Sequence, residues 1–277
     1  MKKLYVKVLL LLIAATTTII TSCKKDDKIP APSADFTVQA AKLAVTFTSD
    51  VKNVRYYSWD FGDGSDVSTD KSPSHFYEEG GNYMVTLTVT GRDGSTLTKS
   101  KEITVTAPVN YVQGGKFETA ADIAKWTTFA INSNNNITWA ASNGKMVASG
   151  GNGGHAGVYQ AIQVEANTKY QFSMLVSGSG ATDTWFEVYF GSSQPVANQD
   201  YSNGGTYFGL NTWAGCGKTA FSGNIATLGC AGSHKSTNGE VTFSQSGTVY
   251  LVIKTGGANL GTTGIAIDNV TLSKVDE

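Results

Sequence analysis

The sequence is poor in charged residues, proline and histidine. Charged residues make up 16% of the 277 positions, and there are five prolines and three histidines, whereas soluble domains average roughly 25% charged residues. The formal net charge of −1 gives no basic excess of the kind that contacts to a phosphate backbone require, which argues against a nucleic-acid partner. The low charge content also argues against an intrinsically disordered chain.

The common catalytic and metal-binding motifs are also missing. The chain contains no Gly-x-Ser-x-Gly elbow, no His-Glu-x-x-His pair and no phosphate-binding loop. The three histidines, His75, His155 and His234, do not have the spacing of metal ligands. These absences predict that the protein is not an enzyme.

What the sequence does contain is glycine, aromatic residues and short alternating segments. Glycine occurs 31 times, and 10% of residues are aromatic. Val85, Leu87 and Val89 alternate with threonines, which is the period of a half-buried strand. Similar strand-like runs occupy residues 158–164, 170–176, 185–190, 241–243, 248–254 and 264–272. Only residues 119–125 favour a helix, so the pattern predicts an all-β protein.

The N-terminal segment has the order of a secretory signal. Two lysines precede an apolar run at residues 8–15, and Ile20-Thr21-Ser22-Cys23 closes the segment. This ending resembles the lipobox of bacterial lipoproteins, which implies a signal peptide over residues 1–22 and a lipidated Cys23. The alternatives are an uncleaved anchor, or a plain signal with an incidental cysteine.

Residues 23–33 are predicted to form a tether. The charged run at residues 24–28 resembles the surface-export signal of Bacteroidetes lipoproteins, and Pro30 and Pro32 then favour an extended linker. We therefore expect a protein exposed at the cell surface on the outer membrane, attached only through its lipid anchor.

Residues 34–107 resemble one domain family closely. Trp59-Asp60-Phe61-Gly62-Asp63-Gly64-Ser65 is followed by His75-Phe76-Tyr77, Gly81-Asn82-Tyr83 and Val85-Thr86-Leu87. These motifs resemble the PKD (polycystic kidney disease) domain, which implies an Ig-like β-sandwich of seven strands that acts as a spacer. From the residues themselves, we expect Trp59 in the core, Asp60 and Asp63 in a turn, and Tyr83 at a corner.

Residues 110–277 predict a second all-β domain. Gly114-Gly115-Lys116-Phe117-Glu118 lies near its start and Ile267-Asp268-Asn269-Val270 near its end, with Val158-Tyr159-Gln160 between them. This frame resembles the jelly-roll carbohydrate-binding modules of the family 4, family 16 and family 22 type. The resemblance implies a jelly-roll β-sandwich.

A lipobox, a PKD domain and such a module in one chain resemble the surface glycan-binding proteins of Bacteroidetes polysaccharide-utilisation systems. The resemblance implies a non-catalytic lipoprotein that binds a neutral polysaccharide and passes it to outer-membrane glycan import machinery. Similarity to the family 4 type favours a β-glucan such as laminarin.

The last predicted strand changes phase at Asp268-Asn269. The apolar positions switch parity between Ile267 and Val270, which a β-bulge would explain. In the resembled modules, the Glu of the Phe-Glu motif and the Asp of the Asp-Asn-Val motif bind a structural calcium ion. The resemblance therefore implies Ca²⁺ ligands at Glu118 and Asp268, with the backbone carbonyl of Lys116. The alternative is an aspartate that caps the bulge without a metal.

Aromatic residues with neighbouring polar groups are the candidate ligand-binding residues. Sugar rings stack on flat aromatic side chains while their hydroxyls bond to amides and carboxylates. Trp185, Glu187 and Tyr189 alternate with apolar residues, which predicts an exposed face with two rings beside a carboxylate. Residues 195–235 are interpreted as a long functional loop, in which Trp213 is the best candidate because it lies beside Cys216. The complete predicted set is Trp185, Glu187, Tyr189, Trp213, Tyr207, Tyr201 and Trp139, whereas Trp126 is expected in the core.

Two cysteines remain once Cys23 is assigned to the lipid. An exported protein meets an oxidising compartment, so we expect Cys216 and Cys230 to form a disulfide. Two buried free thiols are the alternative.

Two other functions remain open on the sequence. An adhesion or spacer lipoprotein would use an exposed aromatic patch to contact protein partners. A glycoside hydrolase would need two carboxylates across a cleft, and Glu187 with Asp183 or Asp200 is the only plausible pair.

Overall fold

The computed structural model describes residues 28–230, 235–236 and 238–275. The predicted signal peptide and Cys23 lie outside these residues. The chain separates into two compact units between Ala107 and Pro108. In the described ranges, no helix has the length and apolar character needed to cross a membrane.

The first unit is a β-sandwich of two three-stranded sheets. Its strands are β1 (Ser33–Ala41), β2 (Ala44–Lys52), β3 (Val54–Asp60), β4 (Ser74–Phe76), β5 (Gly81–Gly91) and β6 (Thr96–Val105). One sheet has the order β1-β2-β4 and the other β3-β5-β6. The described part of this unit thus has six strands instead of the expected seven, because the segment after β3 contributes only an isolated bridge from Ser68 to Trp59.

Aromatic rings fill the space between these two sheets. The fully buried Trp59 lies 5.1 Å from the ring of Phe36 and 5.4 Å from that of Phe47. Its indole N–H donates to the carbonyl of Asp70 at 2.9 Å, so the ring is buried without an unpaired donor. The expectation that Trp59 belongs to the core is confirmed.

The turn after β3 is built by the two aspartates that the sequence motif contains. The Asp60 carboxylate accepts from the amide of Gly62 at 2.9 Å. The Asp63 carboxylate accepts from the amide and the hydroxyl of Ser65 at 3.1 and 2.6 Å. The Tyr83 hydroxyl donates to the carbonyl of Glu79 at 2.8 Å, which fixes the corner before β5 as expected.

His75 connects this turn to the core. Its Nε2 lies 2.6 Å from Oδ2 of Asp63, and its ring stacks on Phe61 at a centroid distance of 4.0 Å. Burial alone would raise the pKa of Asp63, but the hydrogen bonds from Ser65 and His75 outweigh it and lower that pKa to about 2.

Because the folded-state pKa of Asp63 lies below its usual value of 3.8, the ionised carboxylate stabilises the fold above pH 4. We expect that contribution, about 1 kcal/mol after solvent screening, to disappear as the pH falls from about 4 to about 2. Asp63→Asn should therefore lower the free energy of unfolding at pH 7, with a difference from wild type that shrinks over that range. Urea unfolding at a series of pH values measures this.

The matched control is Asp50→Asn, at an exposed position on β2. A constant difference between Asp63→Asn and wild type from pH 7 to pH 2 would contradict the assignment.

The second unit contains ten strands in its described part. They are β7 (Thr127–Ala130), β8 (Ile137–Ser142), β9 (Lys145–Val164), β10 (Lys169–Gly178), β11 (Thr182–Gly191), β12 (Thr206–Asn211), β13 (Phe221–Asn224), β14 (Glu240–Thr242), β15 (Gly247–Asn259) and β16 (Ile265–Lys274). Two one-turn helices accompany them, α1 (Ala120–Ile123) and α2 (Ile225–Leu228). α1 begins after Thr119, whose side chain forms a capping box with Asp122, where the sequence predicted the helix.

β9 belongs to both sheets of this sandwich. Its first part pairs with β8 and β16, and its last part pairs with β7 and β15. β11 and β12 extend the sheet beyond β15, whereas β10 and β13 extend the other sheet beyond β16. The strand changes sheets near Gly150, where φ is +117° and a Cβ would lie 1.9 Å from the carbonyl oxygen of Asn136; only glycine fits there.

The main core lies between the two sheets and contains Trp126, as expected, and also Trp139, which was predicted to bind ligand. Trp126 is 7% exposed and Trp139 is 8% exposed. The Trp139 ring lies 6.5 Å from that of Phe186 on β11. The prediction for Trp126 is confirmed, whereas Trp139 is a core residue and not part of an exposed surface.

The described residues between 195 and 235 do not form one long loop, contrary to the prediction. They include β12, which forms an edge of one sheet, and β13, which forms an edge of the other. Phe208 on β12 is buried in the main core. The many glycines of this segment concealed the period-two pattern.

The phase change predicted for the last strand is confirmed as a β-bulge. Ser173 pairs with Thr271 and Leu175 with Asp268, so β16 has one more residue than β10 between these pairs. Asn269, in this extra position, has a left-handed φ of 48°.

Candidate functional site

The outer side of the sheet that contains β7, β9, β11, β12 and β15 carries a second apolar cluster, separate from the main core. We call this surface the aromatic face. Its buried members are Phe129, Ile131, Tyr189, Tyr201 and Val252, and its partly buried members are Tyr159, Trp185 and Tyr250. A sheet face covered by rings on the side away from the core is typical of a binding surface.

A buried lysine lies at the centre of this face. The side chain of Lys254 is 3% exposed, and its Nζ lies 2.7 Å from Asp200 and 3.4 Å from Glu187. The same ammonium lies 5.0 Å from the ring of Trp185 and 4.8 Å from that of Tyr189. A buried ammonium is stable only when carboxylates and polarisable rings compensate its lost hydration, as these groups do.

Tyr189 completes this network as a neutral donor. Its hydroxyl donates to Oε2 of Glu187 at 2.9 Å and accepts from the hydroxyl of Thr206 at 2.9 Å. Burial raises the pKa of Tyr189, and the neighbouring Glu187 carboxylate raises it further. The phenol therefore stays protonated at neutral pH.

The exposed flat surface of this face is Trp185. The ring is partly exposed and lies edge-on against His155 at a centroid distance of 5.1 Å. Gly256 leaves the space for both rings, because a Cβ there would lie 2.5 Å from Trp185 and 2.4 Å from His155. The ring of Trp185 thus packs on the backbone of Gly256 and against the imidazole of His155.

Trp213 lies in the turn that follows β12, the strand that pairs with the strand of Trp185, and is 60% exposed. Trp185 pairs with Asn211, and the Thr212 hydroxyl accepts from the amide and donates to the carbonyl of Thr184. The Asn211 side chain accepts from the amides of Trp213 and Ala214 at 2.9 and 3.3 Å, and so caps the turn.

A disulfide joins Cys216 to Cys230, as predicted. The Cys216 amide donates to the carbonyl of Asn211 at 3.3 Å, so the bridge is attached directly to the Trp213 turn. An exposed tryptophan on a turn fixed by hydrogen bonds and a disulfide offers a rigid contact surface.

Three predicted ligand-binding rings are buried instead of exposed. Tyr189 is 5% exposed and Tyr201 is 4% exposed, because Tyr201 packs edge-on against Tyr189 at 5.9 Å and covers it. Trp139 lies in the main core, as described above. Tyr207 is partly buried, with its ring against Phe190 and Lys235 above it.

Glu187 also differs from the expectation of a free carboxylate. Its side chain is 30% exposed and is paired with Lys254. Lys254 and Asp200, which control its environment, were not predicted as site residues. A lysine at the end of the otherwise apolar alternation of residues 248–254 was the available signal.

The carboxylate pair that a glycoside hydrolase would need is occupied by the same lysine. Glu187 and Asp200 both lie within ion-pair distance of Lys254. Asp183 is exposed at the start of β11.

The residues expected to bind calcium come from segments that meet at the β16 bulge. The amide of Val270 donates to the carbonyl of Gly115 at 3.0 Å, and Asp268 accepts from the amide of Asn269 at 2.7 Å. Among the described residues, no three His, Cys, Asp or Glu side chains cluster in a way that could hold a metal ion. A calcium ion here would depend on Glu118, Asp268 and backbone oxygens, including that of Lys116.

Comparison with known proteins addresses the first unit. The PKD domain family matches residues 28–106. The first unit is a PKD domain. The chain is also 33% identical over 130 residues to the pre-pro-metalloprotease PrtV of Vibrio cholerae, a match that covers 42% of this chain and only 13% of the protease.

Solved structures with partial similarity to this chain were also found. The PKD1 domain of Vibrio anguillarum Epp is 34% identical, with 28% of this chain and 98% of that chain covered and a TM-score of 0.28. A structure of carbohydrate-binding modules from the β-sandwich superfamily is 19% identical, with 88% of this chain and 98% of that chain covered and a TM-score of 0.37.

The Lys254 network predicts a large energetic coupling between Lys254 and Glu187. Lys254→Met keeps most of the side-chain volume but leaves Glu187 without its cation, so we expect a loss of about 2 kcal/mol in the free energy of unfolding. The double variant Lys254→Met/Glu187→Gln should cost less than the sum of the single variants. Chemical denaturation of the four proteins gives this double-mutant cycle.

Lys169→Met is the control, because the Lys169 side chain is 62% exposed and pairs with Glu240 at 3.4 Å. Its loss should stay below about 0.5 kcal/mol. Strict additivity of the Lys254 and Glu187 variants would show that the network is not coupled.

Proposed function

We propose that this chain is a cell-surface lipoprotein of the outer membrane that binds a neutral polysaccharide without cleaving it. The expected polysaccharide is a β-glucan such as laminarin, bound as part of a glycan-utilisation system with outer-membrane import machinery as its partner. The observation that carries the proposal is the partly exposed Trp185 on the aromatic face, with the exposed Trp213 on the turn that follows the paired strand β12.

The geometry of Trp185 supports stacking against a sugar ring. Its position is set by Gly256 and His155, so binding requires little additional ordering of the side chain. The hydroxyls of a sugar would find hydrogen-bonding partners in the partly exposed His155 and Glu187. These are the two kinds of contact that a carbohydrate needs.

The charges on this face support an uncharged ligand. The Lys254 ammonium is compensated by Glu187 and Asp200, so it offers no free positive charge to an anionic sugar. The same pairing engages both carboxylates with a structural lysine, which supports binding over catalysis. We infer that Trp185 and Trp213 supply the stacking surfaces while the buried network positions Trp185 and Glu187.

The remaining predicted parts fit this arrangement. A lipidated Cys23 and the tether at residues 23–33 would attach the protein to the membrane, and the PKD domain would act as a spacer between the tether and the second unit. Pro30 and Pro32 favour an extended conformation in that tether.

The binding test is affinity electrophoresis against laminarin, mixed-linkage glucan, xylan and mannan. Wild type should be retarded by at least one polymer, with laminarin expected to act most strongly. Trp185→Ala should weaken the binding about tenfold, since stacking of a ring contributes about 1.4 kcal/mol. Trp213→Ala should weaken it to a similar degree.

Tyr56→Ala is the matched control, because Tyr56 is 57% exposed but lies in the PKD domain. Its retardation should equal that of wild type. If none of the four polymers retards the wild-type protein, the proposed function is wrong.

A structural Ca²⁺ ion at the β16 bulge is part of the proposal. Val270, two residues after Asp268, bonds to Gly115 in the segment that continues to Lys116 and Glu118, and carboxylates with backbone carbonyls are ligands that Ca²⁺ accepts. When bound, the ion would join the start of the second unit to its last strand and so stabilise the fold.

Removal of calcium with a chelator should therefore lower the melting temperature, and added Ca²⁺ should restore it. Asp268→Asn should abolish this calcium-dependent shift. Asp183→Asn, an exposed position with φ of 45° that asparagine tolerates, should keep it. Equal melting temperatures for wild type with chelator and with Ca²⁺ would refute the calcium site; differential scanning calorimetry makes the measurement.

A further inference from the structure

A polar groove lies on the outer side of the other sheet, away from the aromatic face. Its volume is about 570 Å³. We call it the Ser/Thr groove and define it by Thr138, Ser142, Lys145, Ser149, Ser177 and Phe221. These residues come from β8, β9, β10 and β13, and β16, which lies between β9 and β10, contributes Ala266, so the groove crosses five strands of one sheet.

The groove offers hydroxyl groups that are not used by the fold. Within the described part of the chain, the side chains of Thr138, Ser142, Ser149 and Ser177 bond to no other protein group. No aspartate or glutamate lines the groove, and Lys145 is its one charged residue. A row of free hydroxyls with almost no charge suits a ligand that is itself uncharged and rich in hydroxyls.

Phe221 gives this polar groove one flat apolar surface. The ring is partly exposed and lies close over Gly178, where a Cβ would come within 2.7 Å of its Cζ atom. Any larger residue at position 178 would displace the ring. Phe221 therefore has the same kind of support that Gly256 gives to Trp185 on the aromatic face.

Phe221 also lies near the aromatic face at one end of the sandwich. Besides lining the Ser/Thr groove, Phe221 borders a small apolar cavity together with Trp185 and Thr212. Thr212 immediately precedes the exposed Trp213. Phe221 of the groove and Trp185 of the aromatic face are therefore close to each other.

We propose that the Ser/Thr groove is a second binding site for the same neutral polysaccharide. This inference rests on the proposed function, because it assigns to the groove the ligand of the aromatic face. One sugar ring stacks on Phe221, and the following units exchange hydrogen bonds with the serine and threonine hydroxyls. A long polysaccharide contacts both surfaces, whereas short oligosaccharides occupy each surface separately.

Two linked sites change how affinity depends on chain length. When one chain occupies both sites, the second contact is intramolecular and is favoured by a high effective concentration. A polymer should then bind much more tightly than a tetrasaccharide of the same sugar. Loss of either site should remove this advantage without removing binding at the other site.

The test uses the full chain, the polymer that retards it most in the panel above, and the tetrasaccharide of that polymer. Phe221→Leu removes the flat ring but keeps apolar volume, so the core contact of Phe221 is preserved. Thr138→Ala/Ser177→Ala removes two hydroxyls. Thr242→Ala/Ser244→Ala is the matched control, at two exposed positions outside the groove. Isothermal titration calorimetry gives stoichiometry and affinity, and the melting temperature checks the fold of each variant.

Wild type and the control should bind two tetrasaccharides per chain, and both groove variants should bind one. The groove variants should also lose about tenfold or more in affinity for the polymer, while the tetrasaccharide site that Trp185→Ala weakens keeps its wild-type affinity. One tetrasaccharide per wild-type chain, with unchanged polymer affinity in the groove variants, would overturn the second site and leave the proposed function intact. Absence of any binding to wild type would overturn both.

Discussion

A single strand, β9, holds the second unit together, and both of its candidate surfaces depend on that strand. The strand pairs with β8 and β16 in one sheet and with β7 and β15 in the other, so neither sheet is complete without it. Its odd-numbered residues face outward at both ends. Lys145 and Ser149 line the Ser/Thr groove, whereas His155 and Tyr159 lie on the aromatic face. The change of sheet by β9 near Gly150 therefore determines which of its residues contribute to each surface.

The buried ammonium of Lys254 determines the shape of the aromatic face. A buried charge is costly without partners, and the Asp200 carboxylate accepts a hydrogen bond from Lys254. The next residue, Tyr201, packs against Tyr189 and covers it. The loop therefore covers one end of the face and leaves Trp185 accessible at the other. The ion pair between Lys254 and Asp200 is thus associated with a covered Tyr189 and an accessible Trp185 on the same face.

Much of the fold follows from local patterns in the sequence. Period-two alternation located most long strands of the second unit, the parity change located the β16 bulge, and the motif around Trp59 identified the PKD domain. The exposure of individual rings did not follow, because it depends on contacts between distant segments. Alternation correctly placed Tyr189 on the side away from the main core, yet Tyr201, from another part of the chain, buries it. The strands β12 and β13 were missed because each is short and is interrupted by a glycine, which carries no side chain from which to read a period.

The disulfide between Cys216 and Cys230 makes the exposed Trp213 turn dependent on the redox state of the surroundings. A thiol reductant would open the bridge that is attached to the Asn211 carbonyl through the Cys216 amide, and the turn would retain only its hydrogen bonds. Protein prepared in a reducing cytoplasm, or handled with thiol reagents, would thus present a looser edge beside Trp185 than protein that passes through an oxidising compartment. The conditions under which the chain is produced therefore determine whether the Trp213 turn is held by the disulfide.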